Sequence, residues 1–443
     1  RNINYILSII ATWKIGGYFI PLNTKWPKDR IHEIISHCQA DIVICHKDGP
    51  YNKENALYIE DIDFNDSLPS YPTLILKPSD ICYIIYTSGS TGDPKGVVIT
   101  NTSYVAYIEW TKRYFNTYKT NKKLLITAEL TFDITMGDIA FALAFGTSIY
   151  IAPDPKNIIS TIKMIQNHKI DTFYSVPTTH SMVFEFAKRK KNVNLSSIKL
   201  ILSGGDSFSV QLVKTIKDLL PNTHFYNVYG PTEVTINCFA YRLDNKISDL
   251  EKNGIPIGHA FDCIDSVLIN PNNNTEASKE GHLCVTGNQV MLGYLSDPEL
   301  TQKSFIKDPR YPTINRYLYK TGDIVKQNQN GLTYIIGRTD DLIKIQGYRI
   351  NPNEVTKHIL EIHTILEAST IAHEKNNNSQ LISFISLSEP IDNEKIISHL
   401  KTKLPAYMIP KKIIPIKKFP LNNSGKISKK ELKIIYENYT AAN

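Results

Sequence analysis

Leu200-Ile201-Leu202-Ser203, the run Val210 to Leu219, and Phe225-Tyr226-Asn227-Val228-Tyr229 read in succession as strand, helix and strand. The same alternation reaches back through Thr172 to Val176, Ile158 to Asn167 and Ile149-Tyr150-Ile151. It predicts parallel α/β layers, an architecture that binds ligands outside the carboxyl ends of its strands. Nearer the start, Asn4 to Leu22 reads as a helix that ends at Gly16-Gly17 and passes into a strand, Tyr18-Phe19-Ile20-Pro21-Leu22. Asp29 to His37 reads as a second helix, followed by the strand Asp41 to Cys45.

After Gly254-Ile255-Pro256-Ile257-Gly258 the texture changes to short strands and turns, among them Ser266 to Ile269 and His282 to Val285, which predicts a smaller β-rich subdomain. A new alternation starts at Asp340: Leu342 to Ile345, Pro352 to Ile362, Leu366 to Ala372, Leu381 to Leu387 and Glu394 to Leu404. The expected fold class is α/β, a large multi-subdomain N-terminal core with a small mobile C-terminal α+β domain. The expected division is a core over 1–339, a C-terminal domain over 340–436 and a tail over 437–443. Because the helix over Asn4 begins at once, the core is expected to lack its own beginning.

A length of 443 residues exceeds what one hydrophobic core serves. Apolar content of 42% and charged content of 21% are ordinary for a globular chain, and the formal charge of +7 is modest for this length. Much of the excess lies in late lysines such as Lys411, Lys412, Lys417 and Lys418, without the aromatic interleaving that nucleic acid would call for. The six cysteines form no C-x-x-C pair and most sit in apolar runs, which predicts reduced core residues and a cytoplasmic protein. No signal peptide or membrane-length apolar run is present in the sequence.

Tyr86-Thr87-Ser88-Gly89-Ser90-Thr91-Gly92-Asp93-Pro94-Lys95-Gly96 gathers hydroxyls, glycines and a lysine between two apolar runs. Glycines let backbone N–H groups turn toward an anion, hydroxyls donate further bonds and Lys95 adds positive charge, so the stretch suits phosphate. It fails the P-loop spacing, because Pro94 precedes Lys95 and a β-branched run rather than a helix follows it. By composition alone, a flexible Ser/Gly loop is an equal reading.

Three later stretches decide between these readings: Tyr226 to Glu233 with Tyr229-Gly230-Pro231-Thr232-Glu233, Tyr319-Lys320-Thr321-Gly322-Asp323, and Gly337-Arg338-Thr339-Asp340 running to Ile350. In this order, with Leu421-Asn422-Asn423-Ser424-Gly425-Lys426 near the end, they resemble the adenylate-forming enzymes over nearly the whole chain. Within that superfamily the likeness is greatest to the amino-acid adenylation domains of nonribosomal peptide synthetases.

The resemblance implies ATP and Mg2+ as cofactors, with an amino acid and a separate carrier protein bearing phosphopantetheine as partners; neither nucleic acid nor membrane is expected. Thr87, Ser88, Gly89, Ser90, Thr91, Gly92 and Lys95 would clamp the β- and γ-phosphates. Thr232 would meet the α-phosphate, Glu233 would hold the metal, and Lys426 would bridge the substrate carboxylate and the nucleotide. Gly204, Gly205, Asp206, Asn227 and Tyr229 would bind adenine, while Asp323 would accept the ribose hydroxyls with Arg338 behind it. Gly204-Gly205-Asp206-Ser207 also matches the serine site of a carrier protein, but its place after Leu200 to Ser203 matches the adenine loop. Asp340 matches the hinge about which the C-terminal domain turns between adenylation and thioester transfer.

Asp133, in Phe132-Asp133-Ile134-Thr135, matches the carboxylate that pairs with the α-ammonium of an amino acid. Carried over as pocket residues are Ile134, Gly137, Tyr174, Ile201, Ser203, Val228, Ile236 and Asn237, none of them charged. A buried charged side chain would want a partner, so a small or medium neutral amino acid is expected. Gly137 is expected to open space that Tyr174 partly fills, and Ser203 and Asn237 to offer hydrogen bonds. Departures from the family pattern are His282, Ile335, Gln346 and Ser424. Three rival readings are a coenzyme A ligase for acyl or aryl acids, a D-alanine–carrier protein ligase, and an inactive docking relative.

Overall fold

The computed structural model describes residues 1–63, 74–88, 93–118, 123–190, 192–243, 247–271, 273–339, 342–345, 347–375, 378–421 and 427–442. They fall into two compact units, each assembled from separated segments. The first comprises Arg1–Pro21, Asp66–Tyr86 and Gly96–Thr339; the second comprises Leu22–Asn65, Thr87–Lys95 and Asp340–Asn443.

The first unit is built on a seven-stranded sheet in the order His259–Ala260, Phe239–Arg242, His224–Tyr229, Leu200–Gly204, Thr172–Ser175, Lys123–Ile126, Ser148–Ile151. Its last five strands in that order run parallel, and the first two are antiparallel additions. Parallel strands covered on both faces read as continuous apolar runs, which is why Leu200-Ile201-Leu202 carries no polar alternation. Side chains still alternate between the faces. Tyr174, Leu202, Tyr226 and Val228 join one apolar cluster with helices Asn101–Tyr114 and Asp133–Phe145. Phe173, Ile201 and Phe225 join another with helices Ile158–His168, Pro177–Arg189 and Val210–Leu219. Each fully buried large apolar side chain contributes about 1.5–3 kcal/mol. Three of these five helices are capped, by Thr100, Asn157 and Ser209, whose side-chain oxygens accept from Ser103, Ser160 and Leu212 N–H.

Two further sheets are built wholly or mostly from residues of this unit. One is antiparallel, with Ile264–Ile269, Glu280–Gly287, Tyr317–Gln327 and Phe305–Lys307 in order and Thr333–Arg338 paired to Tyr317–Gln327. The other joins Gly293–Tyr294, Pro94–Thr100 and Ile81–Ser88. The strand expected over Tyr18 to Leu22 is reduced to a single bridge, Phe19 to Tyr83, because Pro21 has no N–H to continue a ladder.

The second unit holds a three-stranded sheet, Ile365–Lys375, Asn378–Leu387 and Lys412–Pro415, with helices Pro352–Leu360, Asn393–Lys403 and Lys429–Ala442. Its core gathers Ile350, Val355, Ile359, Leu381, Ile385, Ile396 and Leu400. Within this unit Arg30, on helix Lys28–Cys38, meets the fully buried Glu354 at 2.6 Å. Removing either partner of such a pair leaves an uncompensated buried charge at a cost of about 3–5 kcal/mol. Fold and class are thus those expected: α/β layers with an added β-rich sheet, and an α+β portion at the C-terminal end. Among the described residues, no helix is long and apolar enough to cross a membrane. All six cysteines are free thiols.

Candidate active site

Several expected residues meet at the carboxyl ends of the parallel strands. Asp133 opens helix Asp133–Phe145, and its Oδ2 accepts the Thr232 hydroxyl at 2.7 Å. Thr232 and Glu233 sit on a single 3-10 turn, Thr232–Val234, immediately after strand His224–Tyr229 and Gly230-Pro231. Gly230 is needed for close approach, because a Cβ there would stand 2.5 Å from Asn237 Cα. Glu233 is fully buried; its Oε1 accepts the Tyr294 hydroxyl at 2.9 Å, and its carbonyl accepts Met291 N–H at 2.9 Å. One turn beyond Asp133, burial pushes the Asp138 carboxyl well above the usual carboxylate range, with the Arg1 guanidinium pulling the other way.

Asp323 faces Arg338 in the register of the hairpin Tyr317–Gln327/Thr333–Arg338. Arg338 Nη1 donates to one carboxylate oxygen and the Tyr229 hydroxyl to the other. Regular pairing therefore places the guanidinium behind the carboxylate as expected, with Tyr229 as an additional donor. Burial, reinforced by Asp323, pushes the Tyr229 phenol well up, so it remains protonated and able to donate. Asn227 spends an amide hydrogen on the Pro256 carbonyl at 2.7 Å. Gly204 ends its strand, Gly205 follows at φ +87, and Asp206 Oδ1 accepts Ser207 N–H at 2.8 Å.

The residues expected to form the side-chain pocket do not all lie together. Ile134, Tyr174, Val228 and Ile236 do share one cluster, but Ile201 packs on the other face of the sheet and Ser203 Oγ bonds His180 Nδ1 at 3.1 Å. Leu202 of the same strand lies in the cluster of Tyr174. The physical reason is the two-residue period of a strand, in which a shift by one exchanges the faces. Gly137 does not open space either. A Cβ there would lie 2.7 Å from Tyr174 Cε1, so the tyrosine ring occupies the volume. Asn237 Nδ2 donates to the hydroxyls of Tyr174, at 2.6 Å, and Tyr107, at 3.3 Å, which directs both of its N–H groups to the protein.

The turn bearing Ile236 and Asn237 is strained. Thr235 has φ 52 and Ile236 φ 73, and a β-branched residue at positive φ is a genuine outlier. Such conformations cost about 1–3 kcal/mol each and persist where the surroundings over-determine them.

In the second unit, Thr87 and Ser88 close strand Ile81–Ser88, and Lys95 is the second residue of strand Pro94–Thr100. The buried Thr87 hydroxyl has no hydrogen-bond partner among the described residues, which suits a group that awaits an anionic ligand. Asp93 pairs with Lys357. Gly89, Ser90, Thr91 and Gly92 of the loop, Asp340, expected as the hinge, and Lys426 lie outside the described residues. Sequence reasoning did not single out Tyr107 or the bond from Tyr294 to Glu233, since neither pairing is signalled by local spacing.

A family model described as AMP-binding enzyme matches residues 1–295, and the chain belongs to that family. Bacitracin synthase 3 of Bacillus licheniformis is 30% identical over 445 residues, covering 98% of this chain; the chain spans only 7% of that synthase's length. Among solved structures, a Bacillus subtilis o-succinylbenzoate CoA synthetase superposes with a TM-score of 0.84 at 19% identity, covering 98% of this chain and 87% of the other. An NRPS protein described as containing adenylation and PCP domains superposes with a TM-score of 0.82 at 22% identity, covering 98% and 73%. The two structures agree with this chain in fold.

Proposed function

We propose that this AMP-binding enzyme activates a small or medium neutral amino acid with ATP and passes it to the thiol of a phosphopantetheine-bearing carrier protein. The observation that carries the reading is the 2.7 Å bond between Asp133 and Thr232. It sets a carboxylate able to pair with an α-ammonium beside Thr232, the residue expected at the α-phosphate, and those two substrate groups flank the acyl–phosphate bond of an aminoacyl-adenylate. A fatty or aryl acid brings no cation to Asp133, whereas the α-ammonium of an amino acid would give that carboxylate an opposite charge to pair with. The ring of Tyr174 over Gly137 favours the small end of the range.

In the reaction, a substrate carboxylate oxygen attacks the α-phosphorus, the bond to the bridging oxygen breaks, and pyrophosphate leaves. Anion meets anion, so the protein's task is charge neutralisation and positioning. Thr87, Ser88 and Lys95 hold the phosphates, and the orphaned Thr87 hydroxyl supports that role. The carboxylate of Glu233 suits Mg2+, which when bound would neutralise phosphate charge. Tyr294 orients Glu233 through its hydroxyl. Asp323 accepts ribose hydroxyls while Arg338 and Tyr229 hold it in place. In the second step the carrier thiolate attacks the acyl carbon and AMP departs, with Lys426 serving the first step and Asp340 the turn between the two. The name of the NRPS relative with adenylation and PCP domains supports a carrier partner.

ATP–pyrophosphate exchange over a panel of amino acids, aryl acids and fatty acids tests this. Exchange with neutral amino acids is expected. Exchange with the other acids alone would replace the reading with a coenzyme A ligase and remove the role of Asp133. A strong preference for D- over L-alanine would point to the D-alanine–carrier ligase, and no exchange with any acid to a docking relative.

A further inference from the structure

Gln289 is fully buried in the turn between strands Glu280–Gly287 and Gly293–Tyr294. Its side-chain amide donates to the carbonyls of Asn237, at 2.9 Å, and Thr235, at 3.3 Å. Its backbone carbonyl accepts the Thr235 hydroxyl at 2.6 Å. Its Oε1 accepts the Cys263 thiol at 2.9 Å, and burial pushes that thiol up to about 11, so it stays protonated and able to donate. Two residues on, Met291 N–H bonds the Glu233 carbonyl at 2.9 Å.

These bonds converge on the segment that carries the strain. Thr235 and Ile236 hold positive φ without being glycine, and a backbone so placed relaxes unless its carbonyls are bound from outside. What the strain accomplishes is visible in the side chains. It turns Ile236 toward Gly137, 3.3 Å from where a Cβ would stand, and aims the Asn237 amide at Tyr174 and Tyr107.

We infer that Gln289 is a positioning residue that fixes the shape of the substrate side-chain pocket by holding the backbone of Thr235 to Asn237. It touches no substrate itself. The inference rests on the reading of this site as an amino-acid pocket, and its structural half stands apart from that reading.

The test compares Gln289→Met, which keeps length and removes both donors, with Gln289→Glu, which keeps shape and replaces the donors by a carboxylate. In both, amide hydrogen exchange over 232–241 is expected to rise about tenfold, the scale of one lost hydrogen bond, while strand Leu200–Gly204 exchanges as in the wild type. Discrimination in kcat/KM between the preferred amino acid and one larger by a methylene is expected to fall about tenfold, with KM for ATP changed less than about twofold. Unchanged protection over 232–241 overturns the inference, as does an activity loss uniform across amino acids and ATP. A wild type that exchanges with no amino acid defeats the functional reading, and hydrogen exchange still decides whether Gln289 holds the turn.

Discussion

Strand Leu200–Gly204 presents two faces that do different work. On one, Leu202 lies with Tyr174, Val228, Ile134 and Ile236, the cluster that takes in a residue of the strained turn and the neighbour of Asp133. On the other, Ile201 lies with Phe173 and Phe225, and Ser203 bonds the fully buried His180. Both faces are buried, and the strand's own sequence does not tell them apart. The difference teaches that what each side of a parallel strand meets is set by the elements packed on it, not by the strand's own residues.

The largest expected effect is on the first face. Asp133→Asn removes the charge that would pair with an ammonium, and kcat/KM for the amino acid should fall by about 10²–10³-fold, the consequence of breaking one close charge pair, with KM for ATP little changed. ATP–pyrophosphate exchange under saturation of each substrate in turn measures the split. An equal loss on both substrates would dissolve the distinction between the faces.

Leu202→Ala comes next. Truncating a buried leucine should cost about 2–5 kcal/mol in denaturant unfolding and admit a larger side chain to the pocket. A stability loss with unchanged amino-acid preference would move Leu202 out of the pocket.

On the opposite face the readout is pH. Burial pulls the His180 imidazole down to about 3 from an ordinary 6.5, so it is neutral in the native state. The unfolded chain therefore binds the extra proton first. The stability this group contributes is fully present above pH 6.5 and is lost as pH falls toward 3, at up to about 1.4 kcal/mol per unit. Urea unfolding of wild type and His180→Gln between pH 7 and 4 should show a steeper loss in the wild type. Parallel curves would contradict a buried neutral imidazole.

Ser203→Ala is the smallest and the sharpest test. It should cost about 1 kcal/mol through the bond to His180 and leave amino-acid preference untouched. A change in preference would return Ser203 to the pocket.

Much of this was legible in the sequence. The strand–helix alternation that predicts the central sheet was plain, and the helix Val210–Leu219 has the bounds its apolar run suggests. Asp323 and Arg338 stand in adjacent motifs, and the hairpin pairs them. The faces of Leu200–Gly204 were not legible, because a strand buried on both sides carries no alternation to mark its register. Tyr174 filling the room above Gly137 was only half legible, since its side chain arrives from another strand. Gln289 lies in a turn whose composition signals nothing, and its partners are 52 and 54 residues away.

By itself the sequence determined the elements, the order of the motifs and the kinds of chemistry they carry, because hydrophobic period, turn residues and motif spacing are local properties. Only the tertiary structure decided which cluster each face of a strand joins, that Thr232 closes on Asp133, and that a remote glutamine bonds the carbonyls of a strained turn. Those are contacts between segments far apart in the chain, and they exist only once burial forces each polar group to find a partner.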